Sequence, residues 1–343
     1  MKSIRYILTI FIFLFTYIIF AQTAEEFARQ GRLQDSLKNY KEAIKIYTKT
    51  VKIYSESYGA YYWRGNDQLL LGKTKEALAD LDMALKIKQD YSEGFALRGW
   101  IKFNMIDGKG AKDDYDKAIG LDPRNIDALC KRGILFTMQK KYKYAIEDFA
   151  MAIEYKSNSF EAYLNRGIAR YKIHDYIAAV SDLNKAEQFD PKNSDVFKYR
   201  GNCKMETHDN KGAIADFDKG IELIQNDPEL FINRAAAKLN TGDNQGAMDD
   251  CNKAMVLDPK NPMAYNFRGT AKGGLKDYKG AIEDLDKAIK MRQNYSQAYI
   301  NRAAIKFASG DKPGSCADLV AADGLGNAMA NELIEQYCNH RVQ

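Results

Sequence analysis

Eight arginines stand at intervals of 34 residues: Arg64, Arg98, Arg132, Arg166, Arg200, Arg234, Arg268 and Arg302. Each is followed sixteen residues later by an aspartate: Asp80, Asp114, Asp148, Asp182, Asp216, Asp250, Asp284 and Asp318. A planar guanidinium can grip either a phosphate or a carboxylate in bidentate fashion, so two chemistries compete. A stripe of free arginines would bind a polyanion; a ladder of Arg–Asp pairs would be structural. In the stretch before Arg64 the same two slots hold Gln30 and Ile46, so both charges are lost together. That keeps every arginine matched to the aspartate of its own repeat, and little net field remains to draw an anionic ligand. The pairing is read as structural.

Other reactive side chains are sparse. The three histidines, His174, His208 and His340, have no companions that would complete a metal shell. No Cys–His, Ser–His–Asp or glycine-rich phosphate motif appears. The acidic pairs Asp80/Asp82 and Asp284/Asp286 recur in a scaffold position, which makes them poor acid–base catalysts. No catalytic residue, metal site or cofactor is expected, and the chain is read as a non-enzyme.

The spacing implies the elements that carry these residues. From Ala24 the chain divides without insertion into nine 34-residue units: 24–57, 58–91, 92–125, 126–159, 160–193, 194–227, 228–261, 262–295 and 296–329. Within a unit, position 4 is usually aromatic and position 8 is Gly or Ala. Position 20 is Ala until Ser315, and position 24 is bulky (Tyr47, Leu81, Tyr115, Phe149). Apolar residues recur at three and four, the period of one helix face. Small residues at 8 and 20 facing large ones at 4 and 24 describe a close-packed helical hairpin. Asp107, Asp175, Asp209, Asp243, Asp277 and Asp311 stand where they can cap the second helix. Asp122–Pro123, Asp190–Pro191 and Asp258–Pro259 end that helix. Gly324 is read as the stop of the last hairpin. A final segment, 327–338, with Ala330, Leu333, Ile334 and Tyr337 on one stripe, is read as a C-terminal capping helix.

With aromatic 4, small 8, Ala 20, Ala 27 (Ala84, Ala118, Ala152, Ala186, Ala254, Ala288) and the prolines at 32, the unit resembles the tetratricopeptide repeat (TPR) family. The resemblance implies an all-α, right-handed superhelical solenoid whose hairpins bury their faces against neighbours. It also implies a partner-binding groove built from first-helix positions 2, 5, 6, 9, 12 and 13. Here these include Tyr62, Trp63, Leu69, Leu70, Leu97, Trp100, Phe103, Ile134 and Met138, followed by the more polar Asn165, Lys198, Asn202 and Asn233. Lys198, Asn202 and Asn233 match part of the family's carboxylate clamp, but Met263 and Phe267 fill its other cationic slots. The expected role is a protein–protein scaffold or adaptor holding a peptide or helix in that groove. The alternative is a carbohydrate or cell-wall binding module, with Tyr62, Trp63 and Trp100 stacking on sugar rings.

Of the five cysteines, Cys130, Cys203 and Cys251 fall within repeats, with buried free thiols expected. Cys316 opens the last repeat's second helix and Cys338 closes the antiparallel cap, about one turn out of level. They are either free or joined as a disulfide that staples the cap.

The net charge of +5 is too balanced for a nucleic-acid surface. Residues 1–21, with Lys2, Arg5 and an apolar run from Ile7 to Phe20, read as a signal peptide cleaved after Ala21 or as a retained N-terminal anchor. Either way the expected location is periplasmic or extracellular. The partner's identity and the oligomeric state are not set by the sequence.

Overall fold

A computed structural model describes residues 25–338; the proposed signal peptide lies outside them. The described residues form nineteen helices and no strand. No described helix is long and apolar enough to cross a membrane. The chain divides after Ala169 into two compact units.

The first unit contains α1 (25–36), α2 (Tyr40–Ile53), α3 (Tyr58–Leu70), α4 (Thr74–Ile87), α5 (Ser92–Asn104), α6 (Gly108–Leu121), α7 (Ile126–Met138), α8 (Tyr142–Tyr155) and most of α9 (Phe160–Lys172). The second contains α10 (Tyr176–Phe189), α11 (Ser194–Glu206), α12 (Asn210–Leu223), α13 (Pro228–Asn240), α14 (Asn244–Leu257), α15 (Pro262–Gly274), α16 (Tyr278–Met291), α17 (Ser296–Ala308), α18 (Lys312–Gly324) and α19 (Ala328–Tyr337). In each unit odd and even helices pair as hairpins.

Volume matching explains the small and large positions. A Cβ on Gly133 would lie 2.7 Å from the Phe149 ring, and one on Gly201 would lie 2.6 Å from that of Phe217. Where position 24 shrinks to Cys251, position 8 grows to Ala235, and both remain buried. The alanines at 20 and 27 are fully buried, because a larger side chain there would force the helices apart.

The turn inside each hairpin places position 15 in the left-handed region. Gly72, Gly242 and Gly310 adopt it without strain, while Lys38, Ile106, Lys140, His174, His208 and Lys276 adopt it with φ near 60°. This is the place of the two turn histidines. Asp107, Asp175, Asp209, Asp243, Asp277 and Asp311 cap the following helix, each accepting from the backbone N–H three residues on. That third residue is glycine in five of the six. A Cβ on Gly212 would fall 2.1 Å from the Asp209 carboxylate. Where it is Ala178, the cap bond stretches to 3.4 Å, against 2.9 Å at Gly212.

The last hairpin's second helix stops at Gly324, as the sequence predicts. The left-handed residue is Gly326, with φ of 81°. Asn327 caps α19, which packs Ala330 and Leu333 against Ile300 and Ala322.

Candidate functional site

The arginines are anchored on three sides. In α3 and α4, Arg64 donates through Nε and Nη2 to Asp80 at 2.7 and 2.6 Å. The same fork joins Arg98 to Asp114, Arg132 to Asp148, Arg200 to Asp216, Arg234 to Asp250, Arg268 to Asp284 and Arg302 to Asp318. The third arm, Nη1, reaches back to position 25 of the preceding repeat. It meets Asp82, Asp116, Asp218 and Asp286 from Arg98, Arg132, Arg234 and Arg302, and Thr48, Asn184 and Asn252 from Arg64, Arg200 and Arg268. Reading the pairs as bridges within a repeat missed this link between repeats. Its signal was the acidic or amide residue two places after six of the eight ladder aspartates.

Each guanidinium also lies over the aromatic ring at position 4, as Arg64 does over Tyr61 at 5.4 Å and Arg166 over Tyr163 at 5.5 Å. In the fourth repeat position 4 is Leu129, and Arg132 lies over Phe136 instead. A second cation, at position 11, bonds the ladder aspartate in most repeats: Lys102 to Asp114, Lys204 to Asp216, Lys238 to Asp250, Lys272 to Asp284 and Lys306 to Asp318. Asp182 takes Arg170 in this way at 2.7 Å. Burial pulls the Asp284 carboxyl upward, but Arg268 and Lys272 together hold it below the ordinary carboxylate range. At Asp148 the lysine slot holds Phe136; burial there raises the carboxyl despite the bond from Arg132.

The residues expected in a groove separate into three groups. Tyr62 meets Trp63 edge-on at 5.1 Å and Tyr91 at 5.2 Å, and Trp100 stacks on Phe103 at 5.1 Å. The Lys131 ammonium sits 5.1 Å from the Trp100 ring and pairs with Asp127. Leu97 is a correction: at 9% exposure it belongs to the core with Leu81 and Ile101. Ile134 packs against the core around Phe149. Leu70 and Met138, the last residues of α3 and α7, are exposed beside the turns.

The polar residues are engaged with one another. Asn165 donates to the Glu161 carbonyl in its own helix. Asn233 donates to Asn202 at 3.0 Å, and Asn301 to Asn266 at 2.9 Å. Lys198 is ringed by Asp195, Asp227 and Glu229 at 3.1 to 3.5 Å. Desolvation opposes its charge, yet these acids raise its pKa above the ordinary lysine value. Three acids around the one clamp lysine would repel a carboxylate-ended ligand, which argues against a clamp here.

The repeat-by-repeat geometry is matched by independent comparisons. Tetratricopeptide-repeat family models match residues 22–92 and 264–295, and a model described as the ETO1 C-terminal domain matches 132–271. The chain belongs to the tetratricopeptide-repeat family. No curated protein sequence matches it. Solved structures share the fold. A TPR protein from Parabacteroides merdae is 19% identical, with a TM-score of 0.58 over 73% of this chain and 100% of that one. The APC/C hetero-tetramer Cut9–Hcn1 is 14% identical, with a TM-score of 0.59 over 92% of this chain and 76% of that one. Pseudomonas aeruginosa pilF is 19% identical, with a TM-score of 0.54 over 60% and 94%.

Against this TPR pattern one residue stands out. Position 10 is Leu33, Ile101, Leu135, Ala169, Cys203, Ala237, Ala271 or Ile305 in eight repeats and Asp67 in the second. Asp67 is fully buried, and neither of its oxygens nor Asp35 Oδ1 meets an N–H or O–H from another residue. Its neighbour is the Asp35 carboxyl, whose Oδ2 accepts from the Tyr47 hydroxyl at 2.7 Å. Burial first, and then Asp35, pushes the Asp67 pKa up to about 8. The sequence reading passed over this pair, although an acid in an apolar register was a visible signal.

The cysteines divide as follows. Cys130, Cys203 and Cys251 are buried and free, with burial pushing each thiol up to about 12. Cys316 and Cys338 form a disulfide that ties α18 to the end of α19. Among the described residues no group of three or more His, Cys, Asp or Glu is placed to hold a metal ion.

Proposed function

We propose that this TPR protein is a scaffold that holds a peptide or helix of a partner protein along the first helices of its second to fourth repeats. The observation that carries this is the placement of Trp63 and Trp100. Both are half-buried and packed on Tyr62 and Phe103, so a rigid aromatic surface is presented on the face that TPR proteins use for partners. Rigid aromatic side chains give large contact area at low entropic cost, which is why they anchor interfaces. The arginine ladder takes no part in recognition, because each described fork is already bonded within the protein.

The proposed setting is the cell envelope. The cationic start and apolar run of residues 1–21 support export, and the Cys316–Cys338 disulfide suits an oxidising compartment. The test is photocrosslinking from a benzophenone side chain at Trp63 or Trp100 in envelope extracts, followed by mass spectrometry. Protein adducts at these positions, absent when the probe is at the exposed Lys143, are the expected result. Adducts confined to Lys143, or glycan adducts alone, would contradict the groove reading.

A further inference from the structure

A different surface of the first unit is built at odds with the local rules followed elsewhere in the chain. It is the row of turns joining α1 to α2, α3 to α4, α5 to α6 and α7 to α8. The tips carry exposed apolar side chains: Leu37, Met105, Ile106 (94% exposed) and, at the adjoining helix end, Met138 (69%). Ile106 is a β-branched residue with φ of 66°, in a slot where other repeats place Gly72, Gly242 and Gly310. That conformation is strained for any branched side chain. Lys73 and Lys141 occupy N-cap positions with no side-chain cap bond, at the end of the helix where the macrodipole disfavours a cation. In five of the six remaining second helices that follow a position-16 aspartate, the cap is made within 3.0 Å.

These departures cluster with charge. The segments 38–43, 72–77, 106–111 and 140–145 hold eight lysines and three acids; the same slots of the other five repeats hold four lysines and five aspartates. The first turn meets the second, where a cleft joins Lys38 and Lys41 to Leu71, and the third meets the fourth, where Gly108 lies near Leu135 and Gln139. The result is an edge of protruding apolar tips framed by lysines. A folded protein partner would need a matching concavity for tips that stand so far out, whereas a bilayer receives them without shape matching.

We infer that this edge docks on an anionic phospholipid bilayer. The apolar tips enter the interfacial region while Lys38, Lys73, Lys140 and Lys141 pair with headgroup phosphates. Strain at Ile106 and the missing caps are then features of a surface shaped by its external contact. Met138, expected in the groove from the sequence, stands at this edge instead; the aromatic groove around Trp63 and Trp100 is separate from it, and either reading stands if the other fails.

The test uses the full chain labelled with an environment-sensitive fluorophore at Ile106→Cys. The native free thiols are buried, so the label goes to the new one. Thr241→Cys, at the turn of the seventh repeat, is the control; a label at the edge separates this contact from any made by residues 1–21. With vesicles of equal phosphatidylglycerol and phosphatidylcholine, the label at 106 brightens and shifts to the blue. With phosphatidylcholine alone it does not, and the label at 241 responds to neither. Lys73→Gln with Lys141→Gln weakens the response about 30-fold, from roughly fivefold per lysine near an anionic surface, without lowering the melting temperature. An unresponsive label at 106, an equal response at 241, or an equal response to neutral vesicles overturns the proposal. So does the same blue shift produced by poly-glutamate without vesicles, which would assign the edge to an acidic polypeptide.

Discussion

A fully buried carboxyl beside a second, half-buried one resists ionisation, and Asp67 beside Asp35 is such a group. The groups facing Asp67 are Asp35 from α1, Tyr47 from α2 through its bond to Asp35, and Asn66 beside it on α3; Arg32 lies near Tyr47. An aspartate in the unfolded chain titrates near 4, whereas in the folded chain Asp67 keeps its proton to about 8. Below pH 4 both states hold the proton and the pair carries no penalty. Between about 4 and 8 only the folded state holds it, so stability falls as pH rises through that window and is level above it. Even half of that shift, at about 1.4 kcal/mol per unit, amounts to roughly 3 kcal/mol. In a repeat array this loss is local. Amide exchange in α1 and α2 is therefore expected to quicken, relative to the intrinsic rate, between pH 5 and 8. Asp67→Asn should flatten that dependence and protect the same amides at pH 8; equal pH dependence in both proteins would contradict the raised pKa of Asp67. The anomaly was legible as an acid at an apolar register position. Its partner was not, because Asp35 is two positions away in repeat register and meets Asp67 only through the stacking of two hairpins.

Between helices, the ladder differs from repeat to repeat in a way that can be measured. The pairing of Arg and Asp within a hairpin was readable from their joint loss in the first repeat. The third arm and the lysine at position 11 were not, since they depend on how far each side chain reaches across a neighbouring helix. Among the described residues, Asp148 has Arg132 as its cation, while Asp284 has both Arg268 and Lys272. Removing one partner of a buried pair strands the other charge, at about 3 kcal/mol or more, whereas replacing both with apolar groups is close to neutral. Arg132→Met is therefore expected to cost about 3 kcal/mol and Arg268→Met roughly half of that, because Lys272 keeps Asp284 compensated. Adding Asp148→Leu to Arg132→Met should recover most of the loss. Urea melts of the four proteins decide the matter: equal losses for the two arginines, or a double variant no better than the single, would mean that the forks carry little of the hairpin's stability.

For a protein built as an array, the ends carry a burden that internal repeats do not, since their outer faces have no following hairpin to cover them. The period matches the hairpins within each unit, because each meets the same register of small and large residues. It said less about the cap, whose sequence is not a repeat: α18 ends at Gly324 as expected, but the left-handed turn residue is Gly326. Helix α19 is thinly packed: among its residues only Ala330 is fully buried, and Tyr337 reaches Phe307 at 5.1 Å while remaining 45% exposed. An apolar cavity lined by Phe307, Leu319, Leu333 and Tyr337 lies under it. With so little burial, attachment of the cap rests largely on Cys316–Cys338, which are 22 residues apart. Closing a loop of that length removes denatured-state entropy worth roughly 3 kcal/mol. Cys338→Ser, or reduction of the native protein, is thus expected to release α19 before any repeat unfolds. Amide protection in 328–337 should fall by about two orders of magnitude, consistent with roughly 3 kcal/mol of lost closure, while protection in α15 and α16 stays within a few-fold. Proteolysis should then cut near Gly326 first. Undiminished protection in α19 after reduction would mean that packing of Ala330 and Leu333 suffices, and that the cap is held by its apolar face rather than by its covalent tie.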